Sequence, residues 1–402
     1  MPDELTPTGS LRGLRVLDLS RVLAGPLCSQ MLADHGATVI KVEPPAGDET
    51  RTWGPPFVRD NESAYFAALN RNKQNISLDL TNPQGRAVLG DLLADADILI
   101  ENYKVGTLAR WGLDDDTIRT RYPRLIHCRI TGFGADGPLG GAPGYDAVVQ
   151  AYSGLISING EASGPPLRVG VPIVDMLTGV FAFSGVLLAV IERGQSGRGQ
   201  LVDCTLLDSA ISLLHPHSAS WFVTGKDPAR SGSAHPSIAP YDVFHVGGQD
   251  FFIGAGNDRQ FRQLCDELGV AELAQDARFA TNPDRVRNIA ELRPVLAEAL
   301  APRDPEELSV ALLRRGVPAS PVHSITQALT NPQVRQRDMV VSMDGYQGVG
   351  IPIKLDRTPG SVRSLPRPLG ADTDAVLASI GYVPELITQL VAAGVVHVHD
   401  AQ

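Results

Sequence analysis

Asp175 is the residue whose sequence surroundings best suit a nucleophile. It follows an apolar segment, 167–174, and precedes another, 176–191, which predicts a carboxylate at the N-terminus of a buried helix. The helix dipole stabilises an ionised carboxylate there, by up to ~2 kcal/mol when it is partly buried. Desolvation destabilises the same charge and makes it a stronger nucleophile. An ordinary N-cap aspartate has the same pattern, so spacing alone leaves both interpretations open.

Two other groups of residues could belong to a site. Tyr145 and Asp146 follow a loop rich in glycine and proline, 132–144, where the backbone can approach a ligand closely. An ordinary surface turn has the same composition. The second group is basic and could bind phosphates or simply be solvated surface charge. Its members are Arg71, Lys73, Lys104 and Arg110.

Several common kinds of site are disfavoured. Glu43 ends the second predicted strand, where a dinucleotide site has an acidic residue that binds the ribose. The turn 20–26, however, has one glycine where a nicotinamide site needs G-x-G-x-x-G. No G-x-S-x-G motif marks a serine hydrolase. His215 and His217 have no nearby third ligand, so we predict no metal site.

The composition limits the partners and the compartment. A formal net charge of −10 repels phosphate backbones, which makes nucleic acid an unsuitable partner. The 4 cysteines are far apart in sequence and contain no C-x-x-C pair, which is typical of a reduced, cytoplasmic protein. Residues 1–6 are polar and do not resemble a signal peptide. The apolar segment 176–191 is short for a membrane span, so we expect a buried core helix and no membrane partner.

The elements that must position these residues alternate between strand and helix. Alternation with short connections favours a parallel, doubly wound α/β sheet. Strands are predicted at 14–19, 37–42, 97–101, 125–130 and 201–204, and helices at 27–35 and 88–96.

A second region of different character follows a polar, turn-rich stretch, 225–236, which predicts a domain boundary. It combines a hairpin with several helices and is therefore typical of an α+β unit. We predict the hairpin at 243–255 and the helices at 258–268, 288–300 and 304–315. Beyond residue 339 the chain is predicted to be loop-like, with helices at 373–380 and 384–393.

A series of segments resembles the class III CoA-transferase family, also called the CaiB/BaiF family. They are LRGLRVLDLSRVLAGP (11–26), GATVIKVEPPAGD (36–48), ALNRNKQNISLDL (68–80), DILIENYKVGTLARWGL (97–113), TGFGADGP (131–138), PGYDAVVQAYSG (143–154), VDMLTG (174–179) and SGRGQLVDCTLLD (196–208). The resemblance extends over nearly the whole chain, from about Leu11 to Tyr382.

The resemblance implies a fold and a set of site residues. The fold is an interlocked homodimer with a Rossmann-like large domain, residues 1–224 and 330–402, and an inserted small α+β domain, residues 225–329. Asp175 is the implied nucleophile, and Tyr145 is implied to orient the thioester. Coenzyme A is the implied substrate, with no metal and no nucleotide cofactor. The implied CoA contacts are Val22, Leu23, Asn70, Arg71, Asn72, Lys73, Asn102, Tyr103, Arg110 and Tyr145.

The resemblance implies an enzyme of EC 2.8.3 type. It would transfer CoA from an acyl-CoA donor, with succinyl-CoA favoured, to a carboxylic or dicarboxylic acid. A second acceptor carboxylate would pair with Arg51, Arg168 or Arg230. Alternatives are an acyl-CoA racemase or isomerase of the same family and a non-catalytic acyl-CoA binding protein.

Departures from the family pattern narrow the choice of substrate acid and of reaction. Pro44 stands where some members have a basic residue. Leu23 replaces the glutamine of formyl-CoA transferase, and segment 230–236 replaces its glycine lid, which disfavours formate or oxalate. The racemases have a histidine where Tyr145 stands, and tyrosine is a poor base near neutral pH.

Overall fold

The computed structural model describes residues 9–59 and 62–399. The described residues form two compact units. The first contains residues from 1–155, 168–216 and 336–402, and the second contains 156–167 and 217–335. The sequence predicts different boundaries, at 224 and 329, and places 156–167 in the large domain.

Strands and helices alternate through most of the described chain. The strands are β1 Arg15–Asp18, β2 Thr38–Glu43, β3 Phe57–Arg59, β4 Glu62–Ser63, β5 Lys73–Leu78, β6 Ile98–Glu101, β7 Ile126–Thr131, β8 Leu201–Thr205, β9 Tyr241–Val246, β10 Gln249–Gly254, β11 Ala319–Pro321, β12 Val340–Met343, β13 Tyr346–Val349 and β14 Val396–His397.

The α-helices are α1 Ala24–Asp34, α2 Ala64–Ala67, α3 Pro83–Ala94, α4 Thr107–Arg110, α5 Asp115–Arg121, α6 Asp146–Tyr152, α7 Leu155–Ile158, α8 Ile173–Ser196, α9 Leu206–Ser212, α10 His217–Thr224, α11 Asp258–Leu268, α12 Asn282–Arg287, α13 Ile289–Leu300, α14 Pro305–Arg314, α15 Ile325–Thr330, α16 Pro332–Gln336, α17 Thr373–Ser379 and α18 Pro384–Ala392. Two 3₁₀ turns, η1 Glu49–Thr52 and η2 Ala271–Ala274, complete the set.

The first unit is built on a seven-stranded sheet in the order β14-β5-β2-β1-β6-β7-β8. All neighbouring pairs are parallel except the edge pair β14–β5. The predicted parallel α/β sheet is therefore confirmed, with one antiparallel edge strand added. The strand order changes direction between β1 and β6, and ligands bind such sheets at that point, beyond the carboxyl ends of the strands.

Helices cover both faces of this sheet because successive strand residues point to opposite sides. On β1, Val16 packs in one core cluster, with α1 and α8, whereas Leu17 packs in another, with α3, α17 and α18. The two clusters explain why β1, β2 and β6 are rich in apolar residues on both of their faces, which is the pattern that predicted them.

Helix α8 carries Asp175 near its start. It is the one described helix that is long and apolar enough to cross a membrane, but it packs one face against α1 and the sheet. Val174, Ala182 and Val186 are completely buried, whereas Leu188 is 68% exposed. The predicted buried helix is therefore buried on one face only.

The second unit has its own core. A three-stranded antiparallel sheet, β11-β10-β9, packs with α11, α13 and α14 around buried Phe251, Phe261 and Leu292. The predicted hairpin turns at Gly247 and Gly248, both with positive φ. The hairpin β12–β13, by contrast, was not predicted from the sequence.

Candidate active site

A cavity of about 310 Å³ lies at the carboxyl edge of the large sheet, and we call it the Asp175 cavity. Its walls come from the segments that follow β1, β6 and β7 and from the start of α8. They are formed by Arg21, Val22, Leu23, Ala24, Glu49, Asn102, Tyr103, Lys104, Val105, Ile130, Thr131, Gly132, Gly141, Ala142, Pro143, Gly144, Tyr145, Asp175 and Leu206.

Asp175 lies in the first turn of α8, as its sequence surroundings predicted. Among the described residues, no group forms a hydrogen bond or an ion pair with its carboxylate. Burial, and then the nearby Asp146 carboxylate, raise the pKa of Asp175 to about 7. Because the charge is poorly compensated, the ionised carboxylate is a stronger nucleophile than one in water.

Asp146 supplies the cap that α8 lacks in its own sequence. The helix begins after Pro172, which offers no side-chain cap. The Asp146 Oδ2 atom instead accepts hydrogen bonds from the backbone N–H groups of Val174, at 2.8 Å, and Asp175, at 3.1 Å. Gln150 Nε2 donates to the other carboxylate oxygen at 2.5 Å. Asp146 therefore both fixes the start of α8 and brings a negative charge close to Asp175.

The turn between β1 and α1 forms the wall that contains Val22, Leu23 and Ala24. Val22 has a φ of 69°, an uncommon conformation for a β-branched residue. Its neighbour Arg21 is held by the Asn102 side chain, which accepts from the Arg21 N–H at 3.0 Å and donates to the Arg21 carbonyl at 2.7 Å. Asn102 thus links the turns after β1 and β6.

Helices α1 and α8 touch at Gly179, one turn after Asp175. A Cβ atom on Gly179 would lie 2.8 Å from the Ala24 carbonyl oxygen and 3.1 Å from the Leu27 side chain. Only glycine permits this approach, so Gly179 sets the separation between Asp175 and the turn at Val22–Ala24.

Tyr145 faces the cavity from the N-cap position of α6 and is 58% exposed. The loop before it packs backbone against backbone, since a Cβ on Gly132 would lie 2.7 Å from Gly144 Cα. The lining contains no histidine in the part of the chain that the structure describes. A His–Asp pair of the racemase kind is therefore absent from these walls.

A second cavity, of about 230 Å³, adjoins the first and shares Arg21 and Tyr103 with it. It lies beyond the ends of β1, β2 and β5, where Glu43, Leu78, Thr81 and Trp111 contribute to its walls. The two cavities therefore lie next to each other at the carboxyl edge of the sheet.

The structure brings some predicted site residues together and not others. Val22, Leu23, Asn102, Tyr103, Tyr145 and Asp175 all line the Asp175 cavity. Residues 70–73 line neither of the two cavities and are buried, with their polar ends bonded inside the protein. Arg71 pairs with Asp34 at 2.7 Å, and Lys73 pairs with Asp18 at 3.1 Å. Arg110 is exposed and donates to Thr107 Oγ1 at 3.1 Å.

The three arginines suggested for an acceptor carboxylate have different environments. Arg51 is 7% exposed and forms two hydrogen bonds with Glu43, both at 2.8 Å. Arg230 donates to the carbonyls of Ser157, Glu161 and Gly164 within the second unit. Arg168 is exposed, and its side chain donates only to nearby backbone carbonyls.

Residues 11–373 match CoA-transferase family III. The chain belongs to this family.

Relatives of known activity resemble this family III chain over nearly its whole length. Succinate–glutarate CoA-transferase of Agrobacterium fabrum is 40% identical over 399 residues, which cover 96% of this chain and 99% of that protein. Succinyl-CoA:glutarate CoA-transferase of Homo sapiens is 38% identical, covering 97% of this chain and 90% of that protein. The protein is therefore a CoA-transferase, as the sequence motifs implied.

A solved structure has the same fold as this CoA-transferase. A CaiB/BaiF family protein from Brucella suis superposes with a TM-score of 0.84 at 39% sequence identity. The match covers 93% of this chain and 100% of that one. The mixed α/β fold with a large parallel sheet is thus shared with the family.

Sequence reasoning missed the capping role of Asp146 in this CoA-transferase, because it identified Asp146 only as part of a candidate region with the composition of an ordinary surface turn. The available signal was an acidic residue directly after Tyr145, at the first position of a helix. Glu49 and Arg21 also line the Asp175 cavity and were not predicted. Among the described residues, no group of three or more His, Cys, Asp or Glu side chains could hold a metal ion.

Proposed function

We propose that this enzyme transfers CoA from succinyl-CoA to a dicarboxylic acid of about the size of glutarate, through covalent intermediates on Asp175. The observation that carries the proposal is an uncompensated carboxylate, with a pKa of about 7, in a cavity at the carboxyl edge of the sheet. The names of the Agrobacterium and human relatives support the choice of acids.

The reaction divides into two symmetrical halves. Asp175 attacks the thioester carbonyl of the donor, the C–S bond breaks, and CoA leaves as a thiolate with the electron pair. The thiolate then attacks the aspartyl carbonyl of the mixed anhydride, which forms an aspartyl-CoA thioester and releases the donor acid. The acceptor carboxylate reverses these steps, so the thioester bond energy is retained throughout.

The walls of the Asp175 cavity contain hydrogen-bond donors that these steps require. Each addition produces an oxyanion, which needs hydrogen-bond donors at a fixed position. Leu23 and Ala24 line the cavity at the start of α1, where backbone N–H groups have no acceptor inside the helix. Tyr145 also lines the cavity and offers a hydroxyl that can orient the thioester.

The two adjoining cavities offer separate places for the two ends of CoA. We propose that the acyl-thioester end lies in the Asp175 cavity and that the nucleotide end extends into the second cavity past Arg21 and Tyr103. Arg21 and Lys104 are cations at the first cavity and can pair with phosphates. Of the three arginines considered for the acceptor, Arg168 is the most exposed residue, which favours it for pairing with the second carboxylate.

We also propose that two copies associate through α8. Its outward face presents Phe181, Leu188 and Ile191, which are 41%, 68% and 63% exposed. Their spacing puts them on one side of the helix, and a contiguous apolar face of this kind marks an interaction surface. The interlocked arrangement and the cytoplasmic location stay predictions from the family resemblance and the cysteine content.

Mass spectrometry of the intact protein tests the chemistry. After incubation with succinyl-CoA, we expect a succinyl or CoA adduct that hydroxylamine removes and that peptide mapping assigns to Asp175. Asp175→Asn should form no adduct and should still bind CoA, because the charge and not the volume is removed. Asp116→Asn, at an exposed aspartate on α5, is the matched control.

Other outcomes would favour the alternatives. An adduct on another residue would disprove the assignment of Asp175. Exchange of the α-proton of an acyl-CoA in deuterated water, without exchange of acids, would favour an acyl-CoA isomerase. CoA binding with no adduct from any donor would favour a binding protein.

A further inference from the structure

Three buried charged side chains lie directly behind the turn that forms one wall of the Asp175 cavity. Asp18 ends β1, Lys41 lies in β2, and Lys73 begins β5. Their exposed fractions are 0%, 1% and 3%. We call these three residues the Lys73 cluster. Buried charges are costly unless they are paired and hydrogen-bonded, so their retention here calls for an explanation.

Each member of the Lys73 cluster binds the turn 20–26. Asp18 accepts a hydrogen bond from the Ser20 N–H at 3.0 Å and another from the Ser20 hydroxyl. Lys41 donates to the Ser20 carbonyl at 2.8 Å. Lys73 donates to the Pro26 carbonyl at 2.9 Å and to Asp18 Oδ2 at 3.1 Å. The cluster therefore fixes both ends of the turn, and Val22, Leu23 and Ala24 lie between them.

Lys73 has no donor left for a ligand. Its ammonium group has three N–H bonds, and the third acceptor is Asn70 Oδ1 at 2.8 Å. Lys73 lines neither of the two cavities at the carboxyl edge of the sheet. A contact with a CoA phosphate would require one of these bonds to break and the side chain to leave the core.

We propose that Lys73, together with Asp18, is a positioning residue that holds the turn 20–26 in the conformation needed opposite Asp175, instead of contacting CoA. The inference rests on the proposed reaction at Asp175. It extends that proposal, because it assigns the geometry of the cavity wall to an ion pair in the core beneath it. The uncommon φ of Val22 is the part of the turn that most needs such support.

The charge state of Lys73 provides a readout. Burial lowers the pKa of Lys73 to about 8, although the Asp18 carboxylate opposes this and Lys41 adds to it. Burial by itself would lower the pKa of Lys41. The carboxylates of Asp48, Asp18 and Glu43 outweigh burial and raise that pKa above its usual range. Burial likewise opposes ionisation of Asp18, yet the two lysines hold the pKa of Asp18 at about 2. On raising the pH, Lys73 is therefore the member that changes charge first.

Replacement of Lys73 with methionine tests the proposal through the kinetic constants. Lys73→Met keeps the length of the side chain and removes both the charge and the bond to Pro26. Because a wall displaced by about 1 Å can cost roughly 100-fold in rate, we expect kcat to fall about 10- to 100-fold. The KM for succinyl-CoA should change by less than about threefold, since no CoA contact is lost.

The pH dependence distinguishes positioning from a role in stability alone. Wild-type kcat should fall as the pH rises through about 8. The folded pKa lies below the unfolded value, so loss of this proton increases the free energy of unfolding between the two values. Activity should therefore decline while the melting temperature does not fall on account of Lys73. Lys73→Met should lack this alkaline limb.

A double variant distinguishes loss of positioning from misfolding caused by an unpaired buried charge. Removing Lys73 alone leaves Asp18 without a direct ion pair, whereas Asp18→Asn combined with Lys73→Met removes both charges. The double variant should fold and still have a reduced kcat. Arg285→Met, which removes another buried cation from its pair with Asp258 in the second unit, should lower stability and leave kcat unchanged.

Two results would overturn the proposal. One is a wild-type kcat in the folded double variant. The other is a raised KM for succinyl-CoA with an unchanged kcat in Lys73→Met, which would make Lys73 a CoA contact. Failure of the proposed function is separate, because the wild-type enzyme would then form no adduct on Asp175 in the same experiments.

Discussion

At the scale of single residues, the site depends on two carboxylates that lie close together. Burial and Asp146 make Asp175 reactive, but the same effects leave about half of its population protonated near neutral pH. Only the ionised half can attack a thioester. The enzyme should therefore work better slightly above neutral pH than below it.

This balance predicts a pH profile. Because the pKa of Asp175 is about 7, kcat/KM for succinyl-CoA should rise with pH through about 7, up to the alkaline decline expected from Lys73 near pH 8. Asp146→Asn removes the neighbouring charge and should lower the pKa of Asp175. The acid limb should then move to lower pH by roughly one unit. Steady-state rates between pH 5.5 and 8 measure this shift.

The remote variant Asp116→Asn is the control, and its acid limb should coincide with that of the wild type. An acid limb that stays in place in Asp146→Asn would mean that Asp146 does not influence the ionisation of Asp175. The proposed electrostatic coupling would then be wrong, although the capping bonds to Val174 and Asp175 would remain.

The sequence predicted the roles of some single residues and not of others. Asp175 was predicted because its apolar flanks are local. Asp146 was named as a candidate, but its capping role was not predicted, because that role depends on the start of a helix that is 28 residues away in the chain. Residues 70–73 were assigned to CoA by resemblance, but burial and internal ion pairs became visible only in the structure.

At the scale of elements, the contact between α1 and α8 determines the distance across the cavity. Gly179→Ala would put a methyl group 2.8 Å from the Ala24 carbonyl, and a backbone atom cannot easily move away. We expect α8 to shift and kcat to fall by roughly 100-fold. Overpacking should also lower stability by about 1–3 kcal/mol. Kinetics and thermal denaturation of the purified variant test both effects.

Gly194→Ala is a matched control in the same helix. No atom lies within 4 Å of a Cβ at Gly194, so the substitution should raise stability by about 0.5–1 kcal/mol and leave kcat unchanged. Equal activity of the two alanine variants would show that the helix contact does not determine the catalytic geometry.

Elements were predictable where apolar residues dominate a short segment. Strands β1, β2 and β6 were recognised in this way, although Asp18 and Lys41 lie within the first two. Strand β5 was missed because it begins Lys73-Gln74-Asn75, which looks exposed in sequence. Ion pairing and hydrogen bonds bury these polar residues, and no local pattern reveals such partners. The edge strand β14 has two residues and gives too short a signal.

At the scale of the whole molecule, the apolar face of α8 predicts an oligomer. Leu188→Asp combined with Ile191→Asp places two charges on the proposed interface and should convert a dimer into monomers. Light scattering after gel filtration measures the mass. Burial of one such side chain contributes about 1.5–3 kcal/mol, so two charges should suffice to weaken a dimer.

Val310→Asp, at a 48% exposed position on α14, is the control and should leave the mass unchanged. A wild-type protein that is monomeric at micromolar concentration would contradict the proposed association. A dimer that survives both charges would mean either that the predicted interlocking holds the two copies together or that the interface lies on another surface.

The short strand β14 has a practical consequence for anyone who shortens or tags this chain. It pairs with β5 through Leu78 and Ser77 and thereby covers the edge of the large sheet. Truncation before Val396 would leave a row of unpaired amides and carbonyls open to strands from other molecules. Such a protein would tend to aggregate for reasons unrelated to its chemistry, and loss of activity in it would carry no information about the catalytic site.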